Sequence, residues 1–172
     1  DAQTRKKALL SGAVSEAFEN ASAAIENADL VVMCLYPDYI IPILSSSRSV
    51  IKRDAIITDV CGVKKRLAEN VSSIIPTGVE YISGHPMAGR ETDGFESADK
   101  DMFSGCGYII TPMHGATERG IASVRDMAKH IGAKMITEAG PALHDEIIAY
   151  TSDLMHISAS ALCLSFNQDM NL

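Results

Sequence analysis

The sequence predicts an α/β fold whose parallel sheet is covered by helices. Apolar runs of strand length alternate with helical segments along most of the chain, which is typical of such folds. The run over residues 30–35 is apolar without alternation, so it indicates a strand buried on both faces. With 172 residues, of which 47% are hydrophobic and 22% charged, the chain is long enough for one full core.

Helices and strands alternate from the first helix to the last strand. The predicted strands span residues 28–35, 55–59, 80–83, 107–111 and 134–137. The predicted helices span residues 4–11, 38–46, 64–73 and 116–131. Pro37 ends the first strand because proline cannot donate to a sheet, and Gly132 ends the fourth helix because glycine favours the closing turn.

From residue 142 onward the alternation gives way to one long helix. Its first twenty-five residues contain neither glycine nor proline. At about 100° per residue, Asp145, Ser152 and His156 fall within about 40° of one another and form a polar stripe. Most of the remaining surface of this helix is apolar, so we expect the stripe to face a wet pocket or a subunit partner.

Bulk composition disfavours several classes of function. The net charge of -7 gives no electrostatic basis for binding nucleic acid or an anionic membrane. The four cysteines lack the close spacing of a zinc site and the density of a disulfide scaffold. No uninterrupted apolar run reaches the roughly 18 residues of a membrane span, and no signal-peptide pattern opens the chain. We therefore expect a cytoplasmic protein that acts on a small molecule.

Ligands of open α/β sheets bind beyond the carboxyl ends of the strands, and two loops there carry candidate residues. In Leu35-Tyr36-Pro37, proline stiffens the loop and the tyrosine ring offers a face to a flat cofactor. A tyrosine packed beside a turn is the structural alternative. In residues 58–64, a strand leads through Gly62 into a helix, whose first backbone N–H groups attract anions. The alternative for Asp59 is that it caps this helix.

Residues 84–91 are the most informative part of the sequence. His85 stands at the end of a predicted strand, and an imidazole exchanges a proton near neutral pH. Neighbouring glycines and a proline let a substrate approach the ring, although a histidine satisfied inside the core is the alternative. Glu91 is a candidate to orient His85 or to gate the pocket, or else an exposed loop carboxylate.

Several common motifs are absent from the sequence. It contains no Gly-x-Ser-x-Gly, no histidine pair with metal-ligand spacing and no Gly-x-Gly-x-x-Gly. These absences disfavour hydrolases and metalloenzymes.

Four segments together resemble the prephenate dehydrogenase family, whose members oxidatively decarboxylate prephenate or arogenate with a nicotinamide cofactor. The similarity lies in ADLVVMCLYP at 28–37, TDVCGVK at 58–64, GHPMAGRE at 84–91 with Gly94, and His144-Asp145 followed by Thr151-Ser152 and His156. The resemblance implies a Rossmann-type NAD-binding domain, partial in residues 1–140. It also implies that residues 141–172 form the first long helix of an all-α dimerisation domain, with a homodimer as the assembly.

The resemblance implies a role for each candidate residue. His85 matches the catalytic histidine, which accepts the proton of the substrate's ring hydroxyl as hydride passes to NAD; loss of carbon dioxide then restores aromaticity. The predicted substrate-binding residues are Gly62, Arg90, Glu91, Ser152 and His156. The predicted cofactor-binding residues are Asp1, Leu35, Tyr36, Pro37, Asp59 and Cys61. Gly62 stands where many members have serine and Arg90 where a small polar residue is expected, so the choice between prephenate and arogenate stays open.

The resemblance also bears on the ends of the chain. Because Asp1 matches the acidic residue closing the second Rossmann strand, we expect a first strand and a glycine-rich turn before it, and a substrate-binding arginine after residue 172. Without that strand, residues 30–35 form a bare apolar edge, which we expect a longer protein or a second copy to cover. Two other interpretations are a related Rossmann-type reductase and an inactive ligand-binding or interaction domain.

Overall fold

The computed structural model describes residues 1–90, 92 and 94–169, and it confirms the predicted α/β fold. Five strands form one sheet in the order β1-β2-β3-β4-β5. They are β1 (Leu30–Met33), β2 (Ile56–Asp59), β3 (Glu80–Pro86), β4 (Gly107–Pro112) and β5 (Met135–Glu138). Every predicted strand is therefore present, in the predicted order along the chain.

Seven α-helices accompany the sheet in the part of the chain that the structure describes. They are α1 (Ala2–Leu10), α2 (Ala21–Ile25), α3 (Pro37–Ser47), α4 (Lys65–Ser72), α5 (Glu118–His130), α6 (Pro141–Ile148) and α7 (Leu154–Asp169). The sequence did not predict α2, since five residues are too few to show a helical period. Its start is fixed locally, because the Asn20 side chain accepts a hydrogen bond from the backbone N–H of Ala23 at 2.9 Å.

The sheet is mostly parallel, with one antiparallel pairing that the sequence did not predict. β1, β2 and β3 pair in parallel, and so do β4 and β5, but β4 runs antiparallel to β3. Parallel neighbours need a crossover, which α5 supplies between β4 and β5. Between β3 and β4 the described residues hold only a 3-10 turn, Phe95–Ser97, so the chain turns back and re-enters beside β3 in the opposite direction.

The length of β3 also differs from the prediction, and the difference concerns the candidate site. The strand continues to Pro86 rather than ending at Ser83, because β4 pairs with it as far as Pro86 opposite Tyr108. His85 consequently lies within the strand, opposite Ile109, instead of following it. Its backbone is fixed by sheet pairing rather than by a loop.

Helices cover both faces of the sheet and form two hydrophobic clusters. Alternate residues of a strand point to opposite faces. Ile57 therefore packs in the cluster beneath α2, α3 and α4, whereas Ile56 and Ile82 pack in the cluster beneath α5. Because β1, β2 and β3 pair in parallel, their carboxyl ends meet at one edge of the sheet.

The predicted long helix contains an interruption. A π-helical segment, Ala149–Asp153, separates α6 from α7. Its wider turn rotates the residues of α7 relative to those of α6, so the predicted polar stripe is broken. Asp145 and Ser152 are half-buried, while His156 is exposed. The division of the chain into domains at residue 140 stays a prediction, and residues 170–172 lie outside the described part.

Two apolar surfaces remain uncovered. Among the described strands β1 pairs only with β2, and its outer edge borders an apolar depression formed with α2. The helical segment Pro141–Ser165 is the one described helix long and apolar enough to cross a membrane, with a mean hydropathy of 1.3, although no single uninterrupted apolar run in it has that length. Several large apolar side chains of α7 are exposed, namely Leu154, Met155, Ile157, Leu162 and Leu164.

Candidate active site

His85 occupies the carboxyl-terminal part of β3 with one ring edge open. The imidazole is half-buried, and its Nδ1 lies 2.9 Å from Nε2 of His144. Gly62 faces the opposite edge: a Cβ added there would lie 3.7 Å from both Nε2 and Cε1 of His85. Because Gly62 carries no side chain and is exposed, a ligand can reach Nε2 from that side.

A second histidine and a carboxylate stand behind His85. His144 is fully buried, and its Nδ1 lies 2.8 Å from Oδ1 of Asp145. The Asp145 carboxylate also accepts hydrogen bonds from the backbone N–H groups of Lys64 at 2.8 Å and Lys65 at 2.9 Å. Asp145, His144 and His85 thus form a chain of hydrogen bonds from α6 to β3. Asp145 also binds the backbone at the start of α4.

A buried ion pair between Lys64 and Asp59 contacts the same strand. Lys64 and Asp59 are both 0% exposed, and Nζ of Lys64 donates to Oδ1 of Asp59 at 2.6 Å and to the Gly84 carbonyl at 2.5 Å. The hydroxyls of Tyr81 and Ser83 donate to Oδ2 of Asp59, which is the arrangement that a buried carboxylate requires. Lys64 therefore fixes the carbonyl immediately before His85.

The surroundings hold His85 in its neutral form. Burial, followed by the Lys64 ammonium, lowers the pKa of His85 from its ordinary 6.5 to about 4. Burial likewise lowers the pKa of Lys64, against the opposing effect of Asp59. A neutral imidazole with one open nitrogen can accept a proton at pH 7.

The predicted loops after β1 and β2 come together in a groove. Its volume is about 580 Å³, and it is lined by Cys34, Leu35, Tyr36, Pro37, Tyr39, Val60, Cys61 and Gly62. Five predicted site residues therefore line one surface, and Gly62 connects it to His85. The Cys61 thiol donates to the Leu35 carbonyl at 3.4 Å, and burial raises its pKa to about 12, so Cys61 is a lining residue rather than a nucleophile.

Two expectations for the loop after β2 need correction. Asp59 was expected to contact the cofactor or to cap α4, but its carboxylate is fully buried among Cys61 N–H, Lys64, Tyr81 and Ser83. The start of α4 was expected to attract an anion from a ligand. It binds the Asp145 carboxylate of the same chain instead, so this anion site is already occupied.

The remaining predicted residues lie away from this groove or outside the described chain. Arg90 is exposed and pairs with Asp99, and Asp1 is exposed and caps α1 by accepting from Gln3 N–H at 2.8 Å. Ser152 and His156 lie beyond α6 and are not among the residues that line the groove. Glu91 falls outside the described residues. Their roles stay predictions.

Sequence reasoning gave His144 and Lys64 only positions in the motifs that carry the resemblance, and no role in the site. Adjacent histidine and aspartate residues near the start of a helix are common on surfaces, so the pair carries no local signal of burial. The contact that reveals His144 joins residues 59 positions apart, and the contact between Asp145 and Lys64 joins residues 81 positions apart.

Known proteins share sequence and fold with this chain. Residues 1–137 match the family model described as prephenate dehydrogenase, nucleotide-binding domain. The prephenate dehydrogenase of Bacillus subtilis (strain 168) is 24% identical over 166 residues, which cover 96% of this chain and 44% of that protein. The chain thus spans less than half the length of this curated relative.

Two solved structures have the same fold. The prephenate dehydrogenase of Aquifex aeolicus in complex with hydroxyphenyl propionate and NAD+ superposes with a TM-score of 0.89 at 24% identity, covering 99% of this chain and 59% of that one. The arogenate dehydrogenase of Synechocystis superposes with a TM-score of 0.87 at 28% identity, covering 99% and 60%. Because residues 1–137, most of the chain, match the family model, the chain belongs to the prephenate dehydrogenase family.

Proposed function

We propose that this chain is the nucleotide-binding part of an NAD-dependent dehydrogenase that converts prephenate to 4-hydroxyphenylpyruvate in tyrosine biosynthesis. The observation that carries the proposal is the open Nε2 edge of a neutral His85 beside the groove that the loops after β1 and β2 form. Membership of the family supports the same reaction.

In the proposed reaction, His85 acts as the base. The substrate's ring hydroxyl loses its proton to Nε2 of His85 while the carbon that bears it loses hydride, so this carbon becomes a carbonyl. The bond between the ring and its carboxylate then breaks and carbon dioxide leaves. The electron pair passes through the ring to the carbonyl oxygen, which becomes a phenolate and takes the proton back from His85. Bound NAD+ supplies the hydride acceptor, and aromatisation drives the reaction forward.

The groove has the chemistry that the nicotinamide end of the cofactor requires. Leu35, Pro37 and Val60 give it an apolar lining, and Tyr36 at 76% exposure presents an aromatic ring at the surface. We infer that Leu35, Tyr36, Pro37 and Cys61 contact this end of NAD, next to His85. Pocket linings of this kind, apolar with few polar groups, are typical of cofactor sites.

Arogenate is the second candidate substrate. The Synechocystis relative of solved structure is an arogenate dehydrogenase, and it is more similar in sequence to this chain than the Aquifex aeolicus protein is. The two candidates share the ring hydroxyl that His85 would deprotonate. Gly62 and Arg90, which depart from the expected pattern, are the positions that we expect to bear on the choice.

The test is NADH formation by the full-length protein with prephenate and with arogenate. His85→Asn keeps the ring's approximate volume and removes the base, so kcat should fall by on the order of 10² to 10⁴. His114→Asn is the matched control, because His114 is exposed and lies in a turn outside the groove. Undiminished turnover by His85→Asn would refute the role of His85. Absence of turnover with both substrates would refute the reaction.

We further propose that the protein is a cytoplasmic homodimer whose exposed helix α7 packs against a second copy. The apolar side chains Leu154, Ile157 and Leu162 are more than half exposed, which suits a helix–helix interface. His144 and Asp145 tie the preceding turns to β3 and α4, so we favour a protein partner over a membrane for this segment. Sedimentation as a monomer, or recovery in a membrane fraction, would contradict this proposal.

A further inference from the structure

We propose that His144 and Asp145 are positioning residues that keep a proton on Nδ1 of His85 and leave Nε2 free as the base. This inference rests on the proposed function and adds two residues to it. His144 does not contact the groove, since it is fully buried behind His85. Its effect on the reaction is therefore exerted through His85.

The direction of each hydrogen bond follows from the carboxylate. Partial burial raises the pKa of Asp145, but hydrogen bonds from Lys65 N–H, His144 and Lys64 N–H outweigh it and lower the pKa below the ordinary value. An ionised carboxylate only accepts, so Nδ1 of His144 donates to it across 2.8 Å. A neutral His144 then has a lone pair on Nε2.

The hydrogen bond between His144 and His85 then determines which nitrogen of His85 carries the proton. Nε2 of His144 lies 2.9 Å from Nδ1 of His85, and a lone pair on the first nitrogen requires a proton on the second. A neutral His85 with its proton on Nδ1 has its lone pair on Nε2. That nitrogen faces Gly62, where the absence of a side chain leaves room for the substrate's hydroxyl.

The Asp145 carboxylate, which sets the tautomer of His85 through His144, also holds α6 against α4. Asp145 binds the backbone of Lys64 at the start of α4, and the side chain of Lys64 binds the Gly84 carbonyl beside His85. The contacts therefore close a ring through Asp145, Lys64, Gly84, His85 and His144. A shift of α6 relative to α4 would break these hydrogen bonds, and His85 could then carry its proton on either ring nitrogen.

The arrangement also stabilises the charge that forms during the reaction. When the hydroxyl proton reaches Nε2, His85 becomes a cation that still donates from Nδ1 to His144, and His144 still donates to the Asp145 carboxylate. No additional reactant is required. The charged and titratable groups that act on His85 are Lys64, His144, Asp59 and Asp145. The Lys64 ammonium opposes the cation and the two carboxylates favour it, while His144 accepts the hydrogen bond from Nδ1 of His85.

The first experiment reads the tautomer directly, without turnover. Nitrogen-15 NMR of the histidine rings in the ligand-free full-length protein should show His85 protonated on Nδ1 and bare on Nε2. Asp145→Asn should change this to the other tautomer or to a mixture. Glu146→Gln is the matched control, because Glu146 is the next residue on α6 and is exposed. A proton on Nε2 of His85 in the wild type would overturn the inference.

The second experiment measures turnover in the same variants. Asp145→Asn should lower kcat by about 10²-fold or more with little change in KM, since an equivalent change in a Ser-His-Asp triad costs on the order of 10⁴-fold through the wrong tautomer. Glu146→Gln should leave kcat and KM unchanged. An Asp145→Asn protein that is folded and keeps the wild-type kcat would overturn the inference.

The two experiments separate this inference from the proposed function. If Asp145→Asn does not fold, the tautomer of the wild-type protein alone decides the inference. If the wild type turns over neither prephenate nor arogenate, the proposed function fails, while the NMR result still decides whether His144 and Asp145 set the tautomer of His85.

Discussion

The loop after β1 and the polar network behind β3 lie at the same edge of the sheet, yet they are built in opposite ways. In the loop, Leu35 is 39% exposed and Tyr36 is 76% exposed, and its contact with the neighbouring loop is the weak hydrogen bond from the Cys61 thiol. In the network, Lys64 and Asp59 are fully buried, and each has several hydrogen-bond partners.

This difference indicates that the network positions His85, whereas the loop binds the ligand. A buried polar network is costly unless every group has a partner, so once complete it holds its members in one arrangement. The network thus holds the backbone beside His85 in position, through the bond from Lys64 to the Gly84 carbonyl. The exposed loop has few such constraints and can adapt to a ligand. Substitutions in the network should therefore affect stability, and substitutions in the loop should affect binding.

The largest effect on stability is expected for Lys64→Met. The substitution leaves the Asp59 carboxylate buried without its cation, which costs about 3–5 kcal/mol in the free energy of unfolding. The control is Lys52→Met, because Lys52 pairs with Asp29 on the surface, where an ion pair contributes less than about 1 kcal/mol. Urea denaturation of both variants measures their free energies of unfolding. Equal decreases would show that the buried ion pair contributes no more to stability than the surface pair.

A smaller loss is expected for Gly84→Ala, which tests how tightly β3 packs next to His85. A Cβ at Gly84 would lie 2.8 Å from Cε1 and Cζ of Tyr108, a fully buried ring with no room to move. Overpacking of this kind costs about 1–3 kcal/mol. Gly89→Ala is the control, since a Cβ there meets nothing within 4 Å. A stability of Gly84→Ala equal to that of Gly89→Ala would contradict the packing argument.

The pH dependence of the reaction tests the electrostatic effect of the network. Only neutral His85 can accept the proton, and burial and the Lys64 ammonium lower its pKa from 6.5 to about 4. The acid limb of kcat/KM should therefore lie well below pH 6.5, with activity lost as the pH falls toward about 4. A midpoint at or above pH 6.5 would show that the network does not hold His85 neutral.

The same shift in pKa has a consequence for folding. Between pH 6.5 and about 4 the unfolded chain protonates His85 while the folded chain does not. The contribution of His85 to stability is thus complete above pH 6.5 and is lost as the pH falls to about 4. The difference in unfolding free energy between wild type and His85→Asn, measured across this range, isolates that contribution.

The smallest effect on stability is expected in the loop. Tyr36→Ala should change the free energy of unfolding by less than about 0.5 kcal/mol, because the ring is mostly exposed. Loss of an aromatic contact with the cofactor, about 0.5–1.5 kcal/mol, should raise KM for NAD by roughly 2- to 12-fold. Tyr36→Phe keeps the ring and should bind NAD normally. If Tyr36→Ala destabilises the fold without affecting KM for NAD, the loop after β1 contributes to stability as the buried network does, and the comparison fails.

The fold class, the order of the elements and the position of the candidate base could all be predicted from the amino-acid sequence. Apolar runs and glycine or proline breaks act over a few residues, so the strands and most helix ends could be predicted from them. Leu35, Tyr36, Pro37, Cys61 and Gly62 could be predicted as neighbours because the carboxyl ends of parallel strands meet at one edge. His85 was recognisable from its glycine-rich and proline-containing surroundings.

The groups that surround that base became apparent from the three-dimensional fold. The antiparallel entry of β4, the burial of Asp59 and the contacts of His144 and Asp145 depend on residues far apart in the chain, up to 81 positions for the bond from Asp145 to Lys64. Periodicity carries no information about such pairs, because it reports which face of an element is apolar and not which distant polar group will complete a buried hydrogen bond.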